Sequence, residues 1–372
     1  MATIEINMQR LEYLLELFNM DKNILCQEIN IDIGYIRNPI IVNHLKKIDA
    51  IFKKGLPFYT NPNPIDKKKS SILFRKTNIK DSLNIGDVEF ITQKESEINY
   101  INSLIKLSKF NANFKQLDRF SIKDSPKDIA TQLQYIIPNK NVSDRDFLKQ
   151  FIANLAEYNI MVLENIESHN KKYKSNLLGF FIKPNAIVLK RQKSLKREIF
   201  TLAHELGHYL LNSEMIDDDI FKNSENKEEK WCNEFAFYLL ANDILNALEN
   251  ERSKVFASNI AHSYNNENIR LLSKQNHISQ LAIFCYYANS GAISWKQFND
   301  IKNSIQAGLD EKLNKERQEP KSSNFYTPPK AIVSPLQKDI YINAFFEGVI
   351  EEYDILSKFK VKNNNLDIFL YG

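Results

Sequence analysis

The chain contains 372 residues, of which 43% are hydrophobic, and it carries a formal net charge of +4 at pH 7. These values are typical of an ordered, soluble globular protein, and so mild a basic charge does not by itself indicate nucleic-acid binding. No apolar run approaches the roughly 20 residues that span a membrane, and the first residues lack the pattern of a secretion signal. The three cysteines, Cys26, Cys232 and Cys285, are isolated, which excludes a disulfide framework and a paired-cysteine zinc site. We therefore expect a cytoplasmic protein without a membrane partner, and the sequence does not indicate its oligomeric state.

The first third of the chain is predicted to be helical. Apolar residues at helical spacing between residues 8 and 56 predict a small helical domain over residues 1–65. The stretch that follows is rich in proline and lysine and is typical of an extended connector, because each proline disfavours helix in the residue before it. An amphipathic helix is predicted over residues 95–120, so that residues 66–120 form a connector with one helix.

The main domain is predicted over residues 121–310. Three strand-like runs follow two helices, and the last two runs are separated by only three residues, which predicts a hairpin. A long helix with one apolar stripe is predicted to start near Ser194, and a second long helix follows an acidic loop. The strand-like runs lie at residues 159–166, 176–182 and 186–191, and the stripe consists of Leu195, Ile199, Leu202, Ala203, Leu206 and Leu210.

Residues 311–372 are predicted to be a flexible linker followed by a last helical segment. The expected fold class is therefore α+β and mainly helical. A small β-sheet should pack against the helix that starts near Ser194, with further helical regions at both ends of the chain.

This central helix carries the sequence His204-Glu205-Leu206-Gly207-His208. Residues four apart lie on the same face of a helix, so the two imidazoles can converge on one zinc ion. Glu205 lies beside them without being a ligand, and it can take a proton from a water that zinc activates and pass it to the leaving amine. The alternative is that the two histidines are merely packed or solvated. The scarcity of histidine and the helical context favour a zinc site and general-base peptide hydrolysis.

A catalytic zinc site needs a third protein ligand. The metzincin pattern would place a glycine three residues after His208 and a third histidine three residues further on. Leu211 and Glu214 stand at those positions, so that class is excluded.

A glutamate from the following helix is the other common third ligand. Glu229 borders the buried stripe of that helix and is the favoured candidate. Glu225 and Glu228 are rivals, since glutamates near a helix start are often only solvated charges that the helix dipole favours. Asn233, one turn after Glu229, could orient a ligand histidine through its second ring nitrogen.

The two helices together resemble the ImmA/IrrE family of zinc-dependent peptidases. The stretches "REIFTLAHELGHYLL" and "EKWCNEFAFYLLAN" carry this resemblance, which covers about residues 125 to 290. It implies His204, His208 and Glu229 as zinc ligands in a zincin-like core and Glu205 as the general base. The chain departs from the family pattern where Cys232 replaces an alanine and where Ala241-Asn242 replaces Met-Pro, and neither change touches a ligand.

Family members often carry an N-terminal helix-turn-helix of the XRE repressor type, and residues 1–65 are similar to that arrangement. The recognition helix would fall at residues 31–44, where Arg37 is the only long basic side chain. Residues 1–60 contain seven Lys or Arg and seven Asp or Glu, so the phosphate contacts of specific DNA binding are not favoured. We interpret this region as a degenerate helix-turn-helix that serves protein contact or autoregulation.

Two functions remain open. The resemblance implies a metalloendopeptidase that cleaves a specific regulatory protein, such as a repressor or an antitoxin-like regulator, with a strand at residues 176–182 or 186–191 pairing with the target backbone. The alternative is a DNA- or protein-binding transcriptional regulator whose zinc site is structural or sensory. The intact general base, Glu205, favours the first.

Other polar residues near the motif are assigned no catalytic role. His277 could donate to the transition state, but a helix-capping or exposed histidine is the favoured interpretation, and His262 shares this ambiguity. Tyr209 points about 100° away from His208 on the helix and is interpreted as packing. The group that stabilises the oxyanion stays unassigned.

Overall fold

The computed structural model describes residues 2–65, 83–168, 170–192, 194–216, 226–257, 267–318 and 330–371. The chain divides into two compact units, the first formed by Met1–Asn99 with His169–Asn176 and the second by Tyr100–Ser168 with Leu177–Gly372. The domain limits expected near residues 65, 120 and 310 stay predictions. None of the described helices combines the length and the apolar character that crossing a bilayer requires.

The first unit is built mainly from short helices. They are α1 (Met8–Leu17), α2 (Lys22–Ile29), α3 (Val42–Phe52), α4 (Leu56–Thr60) and the first part of α5 (Ile85–Leu107). A two-stranded antiparallel sheet pairs β1 (Thr3–Ile4) with β2 (Ile40–Ile41). The side chains of Asn7 and Asp21 cap α1 and α2 by accepting hydrogen bonds from backbone N–H groups of their first turns. The short helices predicted between residues 8 and 56 are confirmed.

The expected recognition helix over residues 31–44 is wrong for most of its length. Ile33–Tyr35 form only a 3-10 turn, β2 follows, and α3 begins at Val42. The Asp32 carboxylate accepts a hydrogen bond from the Gly34 N–H at 2.8 Å, a local bond that competes with helix formation. Residues 31–41 therefore offer no α-helix to a DNA groove.

The described residues of the second unit form three strands and most of the helices. The strands are β3 (Met161–Asn165), β4 (Gly179–Ile182) and β5 (Ala186–Lys190). After the end of α5, the helices are α6 (Pro126–Gln132), α7 (Asp144–Ala156), α8 (Leu195–Leu210), α9 (Lys227–Ala241), α10 (Leu245–Ala257), α11 (Glu267–Gln275), α12 (Gln280–Asn289), α13 (Trp295–Gln318), α14 (Pro335–Phe346), α15 (Glu352–Phe359) and α16 (Leu366–Tyr371).

The three strands form a mixed sheet in the order β3-β5-β4, so β5 is central. β4 and β5 form the predicted antiparallel hairpin, with Phe180 opposite Val188. β3 pairs with β5 in parallel, with Leu163 also opposite Val188. β4 therefore lies at one edge of the sheet and β3 at the other.

The C-terminal segment covers the outer edge of β3. Val333 forms an antiparallel bridge with Leu163, and the Ile332 N–H donates a hydrogen bond to the Glu164 carboxylate. Arg145 on α7 donates to the Lys330 carbonyl at 3.1 Å. This part of the chain thus extends the sheet of the second unit.

The helix α8 packs on β4 and β5, and α9 packs on α8. Gly207 allows the close approach of the two helices, since a Cβ there would lie 3.1 Å from the Cys232 Sγ. The predicted α+β, mainly helical fold with a small sheet against the central helix is confirmed. Five of the six predicted stripe residues of α8 are completely buried: Ile199, Leu202, Ala203, Leu206 and Leu210.

Some predicted elements have different limits in the structure. The helix predicted over residues 95–120 ends at Leu107, because Lys109 adopts φ +50° and residues 110–120 run as irregular chain. The predicted linker is wrong over residues 311–318, which continue α13, and residues 319–329 lie outside the described residues. The last helical segment divides into α14 and α15 at Gly348, whose φ is +67°.

Candidate metal centre

Three side chains from two helices converge beneath the sheet. His204 and His208 lie one turn apart on α8, and Glu229 reaches them from the first turn of α9. The two histidine Nε2 atoms are 3.1 Å apart, and each lies 3.2 Å from an oxygen of the Glu229 carboxylate. Ligand atoms at zinc-like distances of about 2.0–2.1 Å in a tetrahedron are separated by roughly 3.3 Å, so this triangle has the dimensions of a metal site.

The protons available to these groups cannot satisfy all three contacts. The His204 Nδ1–H donates to the Asn233 Oδ1 at 3.0 Å, which leaves the Nε2 of this ring with a bare lone pair. That lone pair faces the His208 Nε2, and among the described residues no well-aligned hydrogen bond reaches either oxygen of Glu229. A bare lone pair, a second imidazole nitrogen and a carboxylate that face one another are the donor set of a divalent cation, so the residues present fit a metal ion.

Burial and neighbouring groups shift the pKa values of His208 and Glu229 towards their metal-binding forms. Burial lowers the pKa of His208, and so favours its neutral, metal-binding form. Burial alone would raise the pKa of Glu229, but the two adjacent imidazoles outweigh it and hold this pKa well below its usual range. Burial and charge therefore favour a neutral His208 imidazole beside an ionised Glu229 carboxylate.

Glu205 lies at the junction of α8 and the edge strand β4. A Cβ added to Gly179 would lie 2.7 Å from the Thr201 Cγ2 and 3.4 Å from the Glu205 Cγ, so strand and helix meet with no room for a side chain. A carboxylate in this position can exchange protons with a molecule lying along β4. The isolated glycine within a strand pattern was a usable signal of this close approach, and the sequence reasoning did not use it.

All four side chains are almost inaccessible. His204 and His208 are each 1% exposed, Glu229 is 2% exposed and Glu205 is 4% exposed. In the structure as described, the site is therefore closed to a peptide.

The structure separates the remaining candidates from this cluster. Glu228 does not join the ligands, because its Oε2 accepts a hydrogen bond from the Ser213 hydroxyl at 2.5 Å. Glu225 and His262 lie outside the described residues. Tyr209 packs edge-on against Phe181, with ring centroids 5.7 Å apart.

The favoured interpretation of His277 as a capping or exposed residue is wrong. Its ring is 3% exposed and stacks on Phe147 with centroids 4.3 Å apart. The Nδ1 lies 2.6 Å from an Asp144 oxygen and the Nε2 lies 2.8 Å from the Lys140 carbonyl oxygen. This histidine holds two parts of the second unit together, and its partners do not include the three converging side chains.

A second buried cluster holds the start of α8. The guanidinium of Arg191 contacts the carboxylates of Glu164 and Glu198, the latter at 3.3 Å. Burial, reinforced by the neighbouring Glu164, raises the pKa of Glu198 to about 9, so this carboxyl is protonated at neutral pH. No local sequence pattern indicates this cluster, because its members come from β3, the end of β5 and α8.

Comparison with known proteins agrees with this geometry. Residues 156–267 match the family model described as the IrrE N-terminal-like domain, peptidase M78. No curated protein and no solved structure matches the chain at a significant level. The matched stretch contains β3, β4, β5, α8 and α9, and with them all three converging side chains. Residues 156–267 are therefore similar to the IrrE N-terminal-like domain of the M78 metallopeptidases.

Proposed function

We propose that the protein is a cytoplasmic zinc metalloendopeptidase that cleaves a specific regulatory protein, of the repressor or antitoxin-like kind. The observation that carries the proposal is the buried set of His204, His208 and Glu229 with Glu205 beside it on the same helix. A site with a merely structural metal has no use for an adjacent general base.

In this proposal each side chain has one task. His204, His208 and Glu229 hold the metal, and zinc bound there would polarise a water molecule and the scissile carbonyl. Glu205 takes the proton of the attacking water and delivers it to the nitrogen of the leaving amine. Asn233 fixes the tautomer of His204, so that the Nε2 of the ring faces the cluster.

The substrate would bind as an added strand along β4. Of the two strands considered from the sequence, β5 is paired on both sides and has no free edge, whereas β4 pairs with β5 alone among the strands that the structure describes. β4 also passes directly beside Glu205 at Gly179. Backbone pairing along this edge would bring a target peptide bond to the general base, with side-chain pockets supplying the specificity.

The decisive experiment replaces Glu205 by Gln in the full chain. Zinc content, measured by elemental mass spectrometry, should stay near one per chain, while cleavage of the co-expressed target should stop. His204→Ala is the matched control that should lose both zinc and cleavage. A Glu205→Gln protein that retains its full biological activity would refute the peptidase proposal.

The near-complete burial of the site favours a second candidate. A closed cluster of three ligands is also suited to a structural or sensory metal in a protein- or DNA-binding regulator. The first unit would then be the binding module, although residues 31–41 contain no α-helix for base reading. This candidate requires that the full chain shift a specific operator duplex more strongly than a random duplex at physiological salt.

A further inference from the structure

The proposed substrate edge of β4 is not accessible in the structure. The Lys190 N–H donates to the Leu178 carbonyl, which makes these two residues a hydrogen-bonded pair of the hairpin. Such pairs alternate along antiparallel strands, so the N–H groups of Gly179, Phe181 and Lys183 point to the outer edge. Phe181 is nonetheless completely buried, and the outward N–H of Lys183 already has a partner.

That partner belongs to the turn Leu211–Ile216, which follows α8 and which we call the strap. The Glu214 carboxylate accepts a hydrogen bond from the Lys183 N–H at 3.0 Å. On the other side, the Ser213 hydroxyl donates to the Glu228 Oε2 at 2.5 Å. Glu228 directly precedes the metal-facing Glu229, so the strap is fastened both to the edge of β4 and to the start of α9.

The strap is tightly held and leaves the helix at a residue with a left-handed backbone conformation. Glu214 and Ile216 are only 6% and 7% exposed. Asn212 adopts φ +49°, a left-handed conformation that asparagine tolerates better than most residues, and the chain leaves the α8 axis there. The described contacts thus tie the end of β4 to the start of α9 through the strap.

We propose that the strap is an autoinhibitory clasp, which must release Lys183 and Glu228 before a target strand can pair with β4 and reach Glu205. This inference rests on the proposed function, whose site it regulates. Glu214 occupies a backbone donor that a substrate carbonyl would use, so substrate and strap compete for the same edge. The protein is then latent until a partner or the target itself displaces the strap.

The first test measures access to bound zinc in the full chain. Zinc-loaded wild type and the double variant Ser213→Ala/Glu214→Ala are mixed with excess 4-(2-pyridylazo)resorcinol, and zinc release is followed by absorbance. Loss of two hydrogen bonds, each worth about 1 kcal/mol, should accelerate release roughly thirtyfold. Glu157→Ala is the matched control, because its carboxylate bonds exposed Lys115 at 2.5 Å and not a residue of the strap, and its rate should equal that of wild type. Equal rates for the double variant and wild type would overturn the proposal.

A second test does not depend on zinc. Hydrogen exchange of the metal-free chain, read by mass spectrometry on peptides covering residues 176–190, should be faster in the double variant than in wild type. Unchanged exchange there would overturn the clasp even if the protein proved to be a peptidase. A protein that binds no zinc would instead refute the proposed function and leave this measurement informative. Should the double variant not fold, Ser213→Ala alone serves in both tests, with an expected acceleration of about fivefold.

Discussion

Substituting Gly179 by Ala tests the close contact between β4 and α8. The new methyl group would lie 2.7 Å from the Thr201 Cγ2 and 2.9 Å from the Val188 carbonyl oxygen, both closer than van der Waals contact. Overpacking of a well-packed core typically costs about 1–3 kcal/mol. With two contacts of this kind, Gly179→Ala should lower the free energy of unfolding by ~2 kcal/mol.

The assay is urea unfolding of the metal-free chain, with Thr201→Ser as the compensating change. Serine keeps the hydroxyl that accepts from the Gln192 Nε2 at 3.1 Å and removes the clashing methyl group. The double variant should therefore lose less stability than the sum of the single variants, with a coupling of about 1 kcal/mol, and the remaining contact with Val188 keeps the rescue incomplete. Strictly additive effects, or a cost below about 0.5 kcal/mol for Gly179→Ala, would refute the reasoning.

Gly308 provides a matched control of opposite sign. It lies exposed within α13, and a Cβ there would meet no atom within 4 Å. Gly308→Ala should stabilise the chain by about 0.5–1 kcal/mol through helix propensity alone. Replacing glycine by alanine is thus expected to raise or lower the free energy of unfolding according to the space around the added methyl group.

Three further predictions concern the site and its support. Glu229→Ala should lower zinc occupancy in elemental analysis, and full occupancy would show that Glu228 or another acid is the third ligand. Asn233→Ala should weaken zinc binding about 10–100-fold in competition with a chelator, because His204 loses the bond that fixes its tautomer, and an unchanged affinity would contradict that role. Glu198 has a pKa of about 9 in the folded chain against an ordinary 4.5, so its contribution to stability is present at low pH and is lost as the pH rises towards 9. Urea unfolding at pH 5, 7 and 9 should show a steeper decline for wild type than for Glu198→Gln, and parallel curves would show that the carboxyl is already ionised.

The parts of the fold predictable from sequence are those that local spacing determines. The stripe of α8, the hairpin of β4 and β5, and the short helices of the first unit each follow from periodicity and turn residues within about 20 positions. Glu229 could be favoured over its neighbours because helical spacing placed it beside a buried stripe, and the structure brings it next to His204 and His208.

The features that sequence reasoning missed depend on contacts between distant parts of the chain. The buried ring of His277 has its Nδ1 beside an Asp144 oxygen and its Nε2 beside the Lys140 carbonyl oxygen. Nothing in the local sequence indicates those partners. The helix predicted to continue to residue 120 stops at Leu107, although the amphipathic sequence pattern persists beyond it. The Lys115 N–H donates to the Glu157 carbonyl, a distant partner, instead of to a carbonyl one helical turn earlier. The bond from Lys183 to Glu214 likewise joins a strand to a turn beyond the next helix.

The bridge between Leu163 and Val333 makes the two edges of the sheet unequal. A bare edge presents a row of unpaired N–H and C=O groups, which is a template for pairing with any other chain. With β3 covered by the tail, β4 is the sheet edge on which the proposed clasp would act. A chain that ended before Lys330 would present the β3 edge to its neighbours, and edge-to-edge pairing would make such shortened copies prone to self-association.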